Sequence, residues 1–237
     1  MTMRLGTSLA LVLLLLAGCN RHNAPSDKLA QSASELVGAQ KPPPPPLEHG
    51  PYAPRDACGD LPGAEDFRAQ LAAAVKARDA DAFANLAAED VKLDFGGGTG
   101  RAELKQRLTD PHWMLWDELD QLLVLGCADN PQGGLTLPWF FEQHIDKVDA
   151  AGGMLVTGEN IPLLASPDPQ GPMLGTISWD VVEIKSLKPD DPYQQVTTTD
   201  GKQGYIATDK LRGLLDYRLL ASQRNGKWSI VSLVSGD

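Results

Sequence analysis

The chain has 237 residues and is acidic, with 21 Lys and Arg against 31 Asp and Glu and a formal net charge of −10. This excess of negative charge argues against nucleic acid and anionic lipid headgroups as binding partners. The length allows one large or two small folded domains, and changes of pattern along the chain favour two.

The N-terminus has the pattern of an export signal. Arg4 supplies a positive charge, and residues 9–16 form an apolar run. The motif Leu16-Ala17-Gly18-Cys19, in which two small residues precede the cysteine, resembles the lipobox of bacterial lipoproteins. The resemblance implies that residues 1–18 are a signal peptide and that Cys19 becomes the lipidated first residue. It thus implies a membrane partner, reached through the lipid.

Two other interpretations of the N-terminus stay open. The apolar run is much shorter than the ~20 residues of a membrane-spanning helix, which argues against a retained transmembrane anchor. An ordinary secretory signal followed by a chance cysteine would leave Cys19 unmodified. Under the lipoprotein interpretation, Asn20 rather than Asp after the cysteine implies the outer membrane, with the chain facing the periplasm.

The two remaining cysteines, Cys58 and Cys127, form an even pair in a chain directed to an oxidising compartment. We therefore predict a disulfide between them, with two buried free thiols as the alternative. A metal site is not expected, because the histidines are scattered and Cys58 has no His or Cys at ligand spacing. Those histidines are His22, His49, His112 and His144.

Residues 19–57 have the composition of a linker. Polar residues come first, Pro42–Pro46 follow, and a turn-rich stretch leads to Cys58. Five consecutive prolines favour a stiff polyproline segment, and the other residues lack the apolar spacing of a core. We predict a disordered, Pro-rich tether that holds the folded part away from the membrane.

Residues 58–146 predict a helix-rich α+β domain. Phe67, Leu71 and Val75 recur at the spacing of one helix face, and residues 91–95 alternate as a half-buried strand does. The other expected elements are a helix capped by Asp79, a third helix from Arg101, and a fourth that begins at Asp110-Pro111. Residues 79–91 also loosely resemble the nuclear-transport-factor-2-like cone folds, although the region offers few convincing strands.

Gly96–Gly100 lie between the predicted strand and the third helix, where a phosphate-binding loop is a possibility to test. A dinucleotide fingerprint needs a third glycine where Arg101 stands. A P-loop needs Gly-Lys followed by Ser or Thr, and this loop lacks that motif. We therefore predict a flexible turn rather than a nucleotide site, and no cofactor is expected.

Residues 154–237 contain short strand-like runs separated by turn residues, which is typical of a small β-barrel. Asn225-Gly226 between the last two runs is a strong hairpin signal. The runs resemble the bacterial Src homology 3 family, in which an SH3-like barrel is formed, and the last two runs resemble an extra C-terminal hairpin of uncharacterised periplasmic relatives. The matching segments are Val156-Thr157-Gly158, Ile161–Leu164, Pro167, Leu174–Ile177, Val181-Val182 and Gly201–Ile206.

The resemblance implies a ligand from the cell wall, and aromatic side chains are the candidates to contact it. Trp179, Tyr193 and Tyr205 are predicted to line a groove for a glycan or a peptide stem. The chain departs from the family at Pro162 and Leu164, where Asn and Arg are common, and Tyr205 replaces the usual Trp. Because proline cannot donate to a ladder, the strand with Pro162 should lie at an edge or bend there.

No catalytic motif is present, since the chain lacks a Gly-x-Ser-x-Gly elbow and a His-Glu-x-x-His helix. The first hypothesis is therefore a non-enzymatic envelope lipoprotein that binds peptidoglycan or another envelope component. The alternative is a structural or assembly module that binds an envelope protein through Trp139, Phe140 and Phe141. That aromatic cluster would otherwise join the two regions or fill the core. An enzyme whose site is formed only by the fold is the third hypothesis.

Overall fold

The computed structural model describes residues 48–236, and this part of the chain has an α+β fold with two sheets. The four α-helices of the described residues are α1 (Ala64–Ala77), α2 (Ala80–Asn85), α3 (Arg101–Thr109) and α4 (Leu115–Val124). The first sheet contains β1 (Ala87–Lys92), β2 (Ala128–Asp129), β3 (Leu135–Leu137), β11 (Arg218–Arg224) and β12 (Lys227–Val234). The second contains β4 (Gly153–Val156), β5 (Ile161–Leu164), β6 (Met173–Ile177), β7 (Val181–Glu183), β8 (Tyr193–Thr198), β9 (Gln203–Ala207) and β10 (Leu211–Gly213).

The first two helices begin and pack as their sequence predicts. The α1 side chains on the predicted face are buried, and the Asp79 carboxylate accepts a hydrogen bond from the Ala82 N–H at 2.9 Å at the start of α2. The fourth helix differs from its prediction. Asp110 caps only a 3₁₀ turn, Pro111–Trp113, and α4 begins after Met114, which adopts a left-handed conformation with φ 46°.

The five-stranded sheet draws its strands from both ends of the described chain. Its order is β1-β12-β11-β3-β2, with β1 parallel to β12 and the other neighbours antiparallel. The hairpin turns at Asn225-Gly226, as predicted. Its position differs from the expected appendage of the second region, because Ala87 pairs with Ile230 and Leu219 pairs with Leu137 of the first region. The hairpin therefore completes the sheet that the helices cover.

The second sheet is antiparallel throughout and has the order β10-β4-β7-β8-β9-β5-β6. Pro162 lies in β5 opposite Thr176 of β6. On the other side of β5 only Leu164 pairs with β9, so Pro162 is not required to donate a ladder hydrogen bond there. The missing N–H of proline is thus tolerated although β5 is not the last strand of the sheet.

The two sheets meet at a shared apolar core. Trp139 and Phe140 pack there with side chains from both regions, so the aromatic cluster joins the regions. Tyr52 and Ala53 are buried in the same core, and Tyr52 donates its N–H to the Trp179 carbonyl at 2.9 Å. The tether predicted over residues 19–57 therefore extends too far, because an apolar pair near its end gains a buried position. Residues 19–47 lie outside the described part.

Cys58 and Cys127 form a disulfide, with their Cα atoms 5.7 Å apart. The backbone holds the two segments together at the same place. Ala57 donates its N–H to the Cys127 carbonyl at 2.8 Å, and the Cys127 N–H donates to the Arg55 carbonyl at 2.8 Å. Gly126 is required here because it has φ 81°, and a Cβ atom would lie 2.3 Å from the Arg55 carbonyl oxygen.

Candidate ligand-binding groove

A groove of about 660 Å³ lies on the outer face of strands β7, β8 and β9. Alternate residues of a strand point to the same face, which places Tyr193, Gln195 and Thr197 of β8 on the outer side. On β9, Tyr205 is the direct neighbour of Gln195 across the ladder. Two of the three aromatic residues predicted as ligand contacts therefore line one groove.

The groove has walls formed by two loops. Pro167 of the β5–β6 hairpin contributes to one side, and the segment 184–192 between β7 and β8 forms the other. Acidic and basic side chains line it together. These charged residues are Glu183, Lys185, Lys188 and Asp191.

The side chains of both tyrosines are partly exposed, so the rings are accessible from solvent. A phenol ring presents an apolar face and a hydroxyl that donates and accepts hydrogen bonds. Lysines can pair with carboxylates of a ligand, and the acidic residues can pair with its ammonium groups. The arrangement therefore suits a small ligand that has both an apolar face and charges of both signs.

Trp179, the third predicted contact, lies elsewhere. The residue is only 7% exposed and packs in the core between the sheets. The indole N–H donates to the Glu48 carboxylate. Burial in the shared core thus takes Trp179 away from the groove.

Sequence reasoning missed Gln194, which also contributes to the lining of the groove. This residue is only 3% exposed. The signal was present, because Gln194 and Val196 alternate on the inward side of β8 and a polar residue at an inward position needs hydrogen-bond partners. Asp191 is exposed and also lines the groove.

The glycine loop after β1 is held by its own chain. The Asp94 carboxylate accepts hydrogen bonds from the N–H groups of Gly96 and Gly98, each at 2.8 Å. The Arg107 guanidinium also donates to this carboxylate, and with the Gly98 amide it lowers the pKa of Asp94 from 3.8 to about 2. Two of the amides that a phosphate would need are therefore already occupied by a carboxylate.

One group of potential metal ligands occurs in the described residues, and it surrounds the disulfide. Ligand atoms of Asp56, Cys58 and Cys127 lie within 4.8 Å of one another. The sulfur atoms are bonded to each other, and the Asp56 carboxylate accepts two hydrogen bonds from Arg68, at 2.7 and 2.9 Å. The disulfide and the ion pair thus account for this group.

No protein-family model matches the sequence, and no curated protein matches it either. Among solved structures, the chain is similar to a protein of unknown function with a cystatin-like fold from Nostoc punctiforme. The identity is 11%, and the match covers 77% of this chain and 96% of the other, with a TM-score of 0.24. A TM-score this low carries no argument about the fold.

Proposed function

We propose that the chain is a non-enzymatic envelope lipoprotein and that its second sheet is an SH3-like barrel binding peptidoglycan. The observation that carries this proposal is the groove in which Tyr193 and Tyr205 lie beside charges of both signs. Peptide stems of peptidoglycan carry carboxylates as well as amide faces, so the chemistry of the groove suits them. The other possible ligand is another envelope component that carries the same charged and apolar groups.

The connectivity of the second sheet supports the SH3-like interpretation. A long hairpin, β5 and β6, separates β4 from β7, and a tight turn joins β8 to β9. A 3₁₀ turn, Thr208–Lys210, then leads to β10, which returns to pair with β4. This order of hairpin, strands and short turn resembles the arrangement of the family. The hairpin of β11 and β12 is not part of this proposal, because it belongs to the other sheet.

The groove proposal is tested by sedimentation of the full chain with isolated peptidoglycan sacculi. We expect the wild-type chain to sediment and the double variant Tyr193→Ala/Tyr205→Ala to lose most of this binding. The matched control is Phe95→Ala, since Phe95 is an aromatic side chain that is 48% exposed in the first region. Failure of the wild-type chain to sediment, or equal binding by the double variant, contradicts the proposal.

Anchoring through Cys19 is the second part of the proposal and rests on the lipobox resemblance. Residue 19 lies outside the described part, within which no helix is long and apolar enough to span a membrane. We expect fatty acid on Cys19, detectable by mass spectrometry of the N-terminal peptide. A Cys19→Ser chain should move from the membrane fraction to the soluble periplasmic fraction, and an unchanged distribution would contradict the proposal.

The alternative function, binding of an envelope protein through Trp139, Phe140 and Phe141, is not favoured by the position of these residues. Trp139 and Phe140 are buried in the core between the sheets. Phe141 is partly buried, and the Arg218 guanidinium lies 4.5 Å from its ring centre. A protein partner would have to use another surface, and crosslinking of the full chain in cells distinguishes such a partner from the cell wall.

A further inference from the structure

The loop between β7 and β8 forms one wall of the groove, and one buried side chain holds it. Gln194 donates a hydrogen bond from its amide nitrogen to the Lys188 carbonyl at 2.7 Å, and a longer, weaker one to the Asp191 carbonyl at 3.4 Å. Its amide oxygen accepts the N–H of Lys188 at 3.0 Å. The carboxamide therefore satisfies backbone N–H and C=O groups of this loop, as an adjacent β-strand would.

The same carboxamide connects the loop to the 3₁₀ turn after β9. Gln194 donates to the Thr208 hydroxyl at 2.9 Å, and that hydroxyl donates to the Asp191 carbonyl at 2.5 Å. The Thr208 N–H donates to the Pro192 carbonyl at 3.0 Å. Two segments far apart in sequence are thus tied to one inward-facing side chain, which has donors and an acceptor in use.

These bonds also affect two charged side chains of the loop, because Gln194 bonds their backbone groups and not their charged groups. Lys188 and Asp191 both line the groove, and their backbone groups are the ones that the carboxamide bonds. Both side chains are exposed, and their charged groups lie 3.9 Å apart, so a fixed backbone restricts where this pair of charges can stand. A rigid wall also reduces the conformational entropy that a ligand must overcome on binding.

We propose that Gln194 is the positioning residue of the groove, whose buried carboxamide fixes the loop 185–192 so that Lys188 and Asp191 face the ligand. This role rests on the proposed function of the groove. The part that concerns the loop alone can be tested without any ligand, so the two proposals fail separately.

The test is Gln194→Glu in the full chain, which keeps the shape and the acceptor but removes the amide donors. Amide hydrogen exchange of residues 185–192 should become at least about tenfold faster, because the variant loses the bonds donated to the Lys188 and Asp191 carbonyls and to the Thr208 hydroxyl together. Exchange in β11 and β12 should stay at the wild-type rate, which shows that the variant is folded. Gln106→Glu makes the same chemical change at an exposed position and should leave the loop unchanged.

Two further measurements separate a positioning role from a general loss of stability. Thr208→Val removes one partner of Gln194 and should accelerate loop exchange by a smaller factor. In the Gln194→Glu chain, acidification should restore part of the protection relative to wild type at the same pH, since a neutral carboxyl regains an O–H donor. A folded Gln194→Glu chain with wild-type exchange in residues 185–192 overturns the proposal.

Binding then tests the link to the ligand, with sacculi as the probe. A folded Gln194→Glu chain should bind sacculi about tenfold more weakly than wild type, which equals about 1.4 kcal/mol. Faster loop exchange with unchanged binding overturns the role of Gln194 in recognition. If the wild-type chain does not bind sacculi, the proposed function fails, and the exchange result alone decides whether Gln194 fixes the loop.

Discussion

Arg212 is a buried cation at the contact between the second sheet and α4. Its side chain is 2% exposed, and it donates to the Gln121 side chain at 2.8 Å, the Glu118 carboxylate at 3.2 Å and the Tyr217 carbonyl at 3.0 Å. Burial raises the pKa of Glu118, an effect increased by Asp216 and opposed by Arg212. The charged state of Glu118 therefore depends on Arg212, and the buried charge of Arg212 depends in turn on its acceptors.

Removing the carboxylate partner leaves the Arg212 charge buried and incompletely paired. We predict that Glu118→Leu lowers the free energy of unfolding by about 3 kcal/mol, and that Glu118→Gln, which keeps an acceptor, costs less. Urea unfolding of the full chain measures both. Glu89→Leu at an exposed position is the control and should change stability by less than about 0.5 kcal/mol. Equal effects of the Glu118 and Glu89 variants would contradict this account.

Asp94 provides a prediction on pH. Its pKa is lowered to about 2 in the folded chain, so the interaction with Arg107 stabilises the fold above the ordinary carboxyl pKa of 3.8. The stabilisation should be complete near neutral pH and should disappear as the pH falls from about 4 to about 2. Thermal unfolding of wild type and Asp94→Asn should therefore give midpoints that differ at pH 7 and converge in that acidic window. A difference that stays constant down to pH 2 would be inconsistent with the ion pair.

At the scale of elements, the hairpin of β11 and β12 supplies two inner strands of the five-stranded sheet against which the helices pack. Alternate residues of β12 face the helices, and Ile230 is fully buried there while Val231 is partly exposed. Trp228 stacks on Phe67 of α1 at 5.9 Å between ring centres, and its indole N–H donates to the Pro62 carbonyl at 2.9 Å. The end of the chain thus packs against the beginning of the helical region.

This alternation gives a matched pair of substitutions. Ile230→Ala should lower the free energy of unfolding by about 2–5 kcal/mol, because it removes buried methylene groups and leaves a cavity. Val231→Ala on the same strand should cost less than about 1 kcal/mol, since its side chain keeps contact with water. Denaturant unfolding compares the two variants. In hydrogen exchange, Ile230→Ala should cause the larger loss of amide protection in β1. A similar cost for both variants would mean that β12 does not pack as described.

At the scale of the whole molecule, the disulfide joins the segment that enters the fold to the end of α4. The two cysteines are 69 positions apart, so the bond closes a long loop of the unfolded chain. The loop-entropy model predicts that Cys58→Ser/Cys127→Ser lowers the free energy of unfolding by about 4 kcal/mol. Chemical denaturation measures this difference, and Cys19→Ser is the control that leaves the pair intact. Reducing agent should lower the stability of wild type but not of the double variant.

Much of the local structure could be predicted from the residues alone. The spacing around Phe67 and the cap at Asp79 are local signals, and both helices form there. The Asn225-Gly226 turn is equally local and forms its hairpin. These predictions succeed because helix faces, caps and tight turns depend on residues a few positions apart. The outcome at Asp110 differs because Met114 interrupts the helix that Pro111 begins.

The candidate site was predictable in part, from the family resemblance rather than from local spacing. That resemblance implied that Trp179, Tyr193 and Tyr205 line a groove, and Tyr193 and Tyr205 share one. Their proximity depends on the pairing of β8 with β9, which sequence spacing alone suggests only weakly. Trp179 was implied in the same way and yet fills the core, because its neighbours in space come from residues near 52, 139 and 214.

The sequence by itself determined the acidic character, the main helices, the turn signals and the even cysteine pair, since each is a property of composition or of neighbouring residues. Only the tertiary structure decided that the last hairpin completes the first sheet and that Tyr52 and Ala53 belong to the folded body. It also decided that Gln194 holds a wall of the groove. Each of these depends on contacts between distant segments, where burial of apolar surface and satisfaction of polar groups, rather than local preference, select the partner.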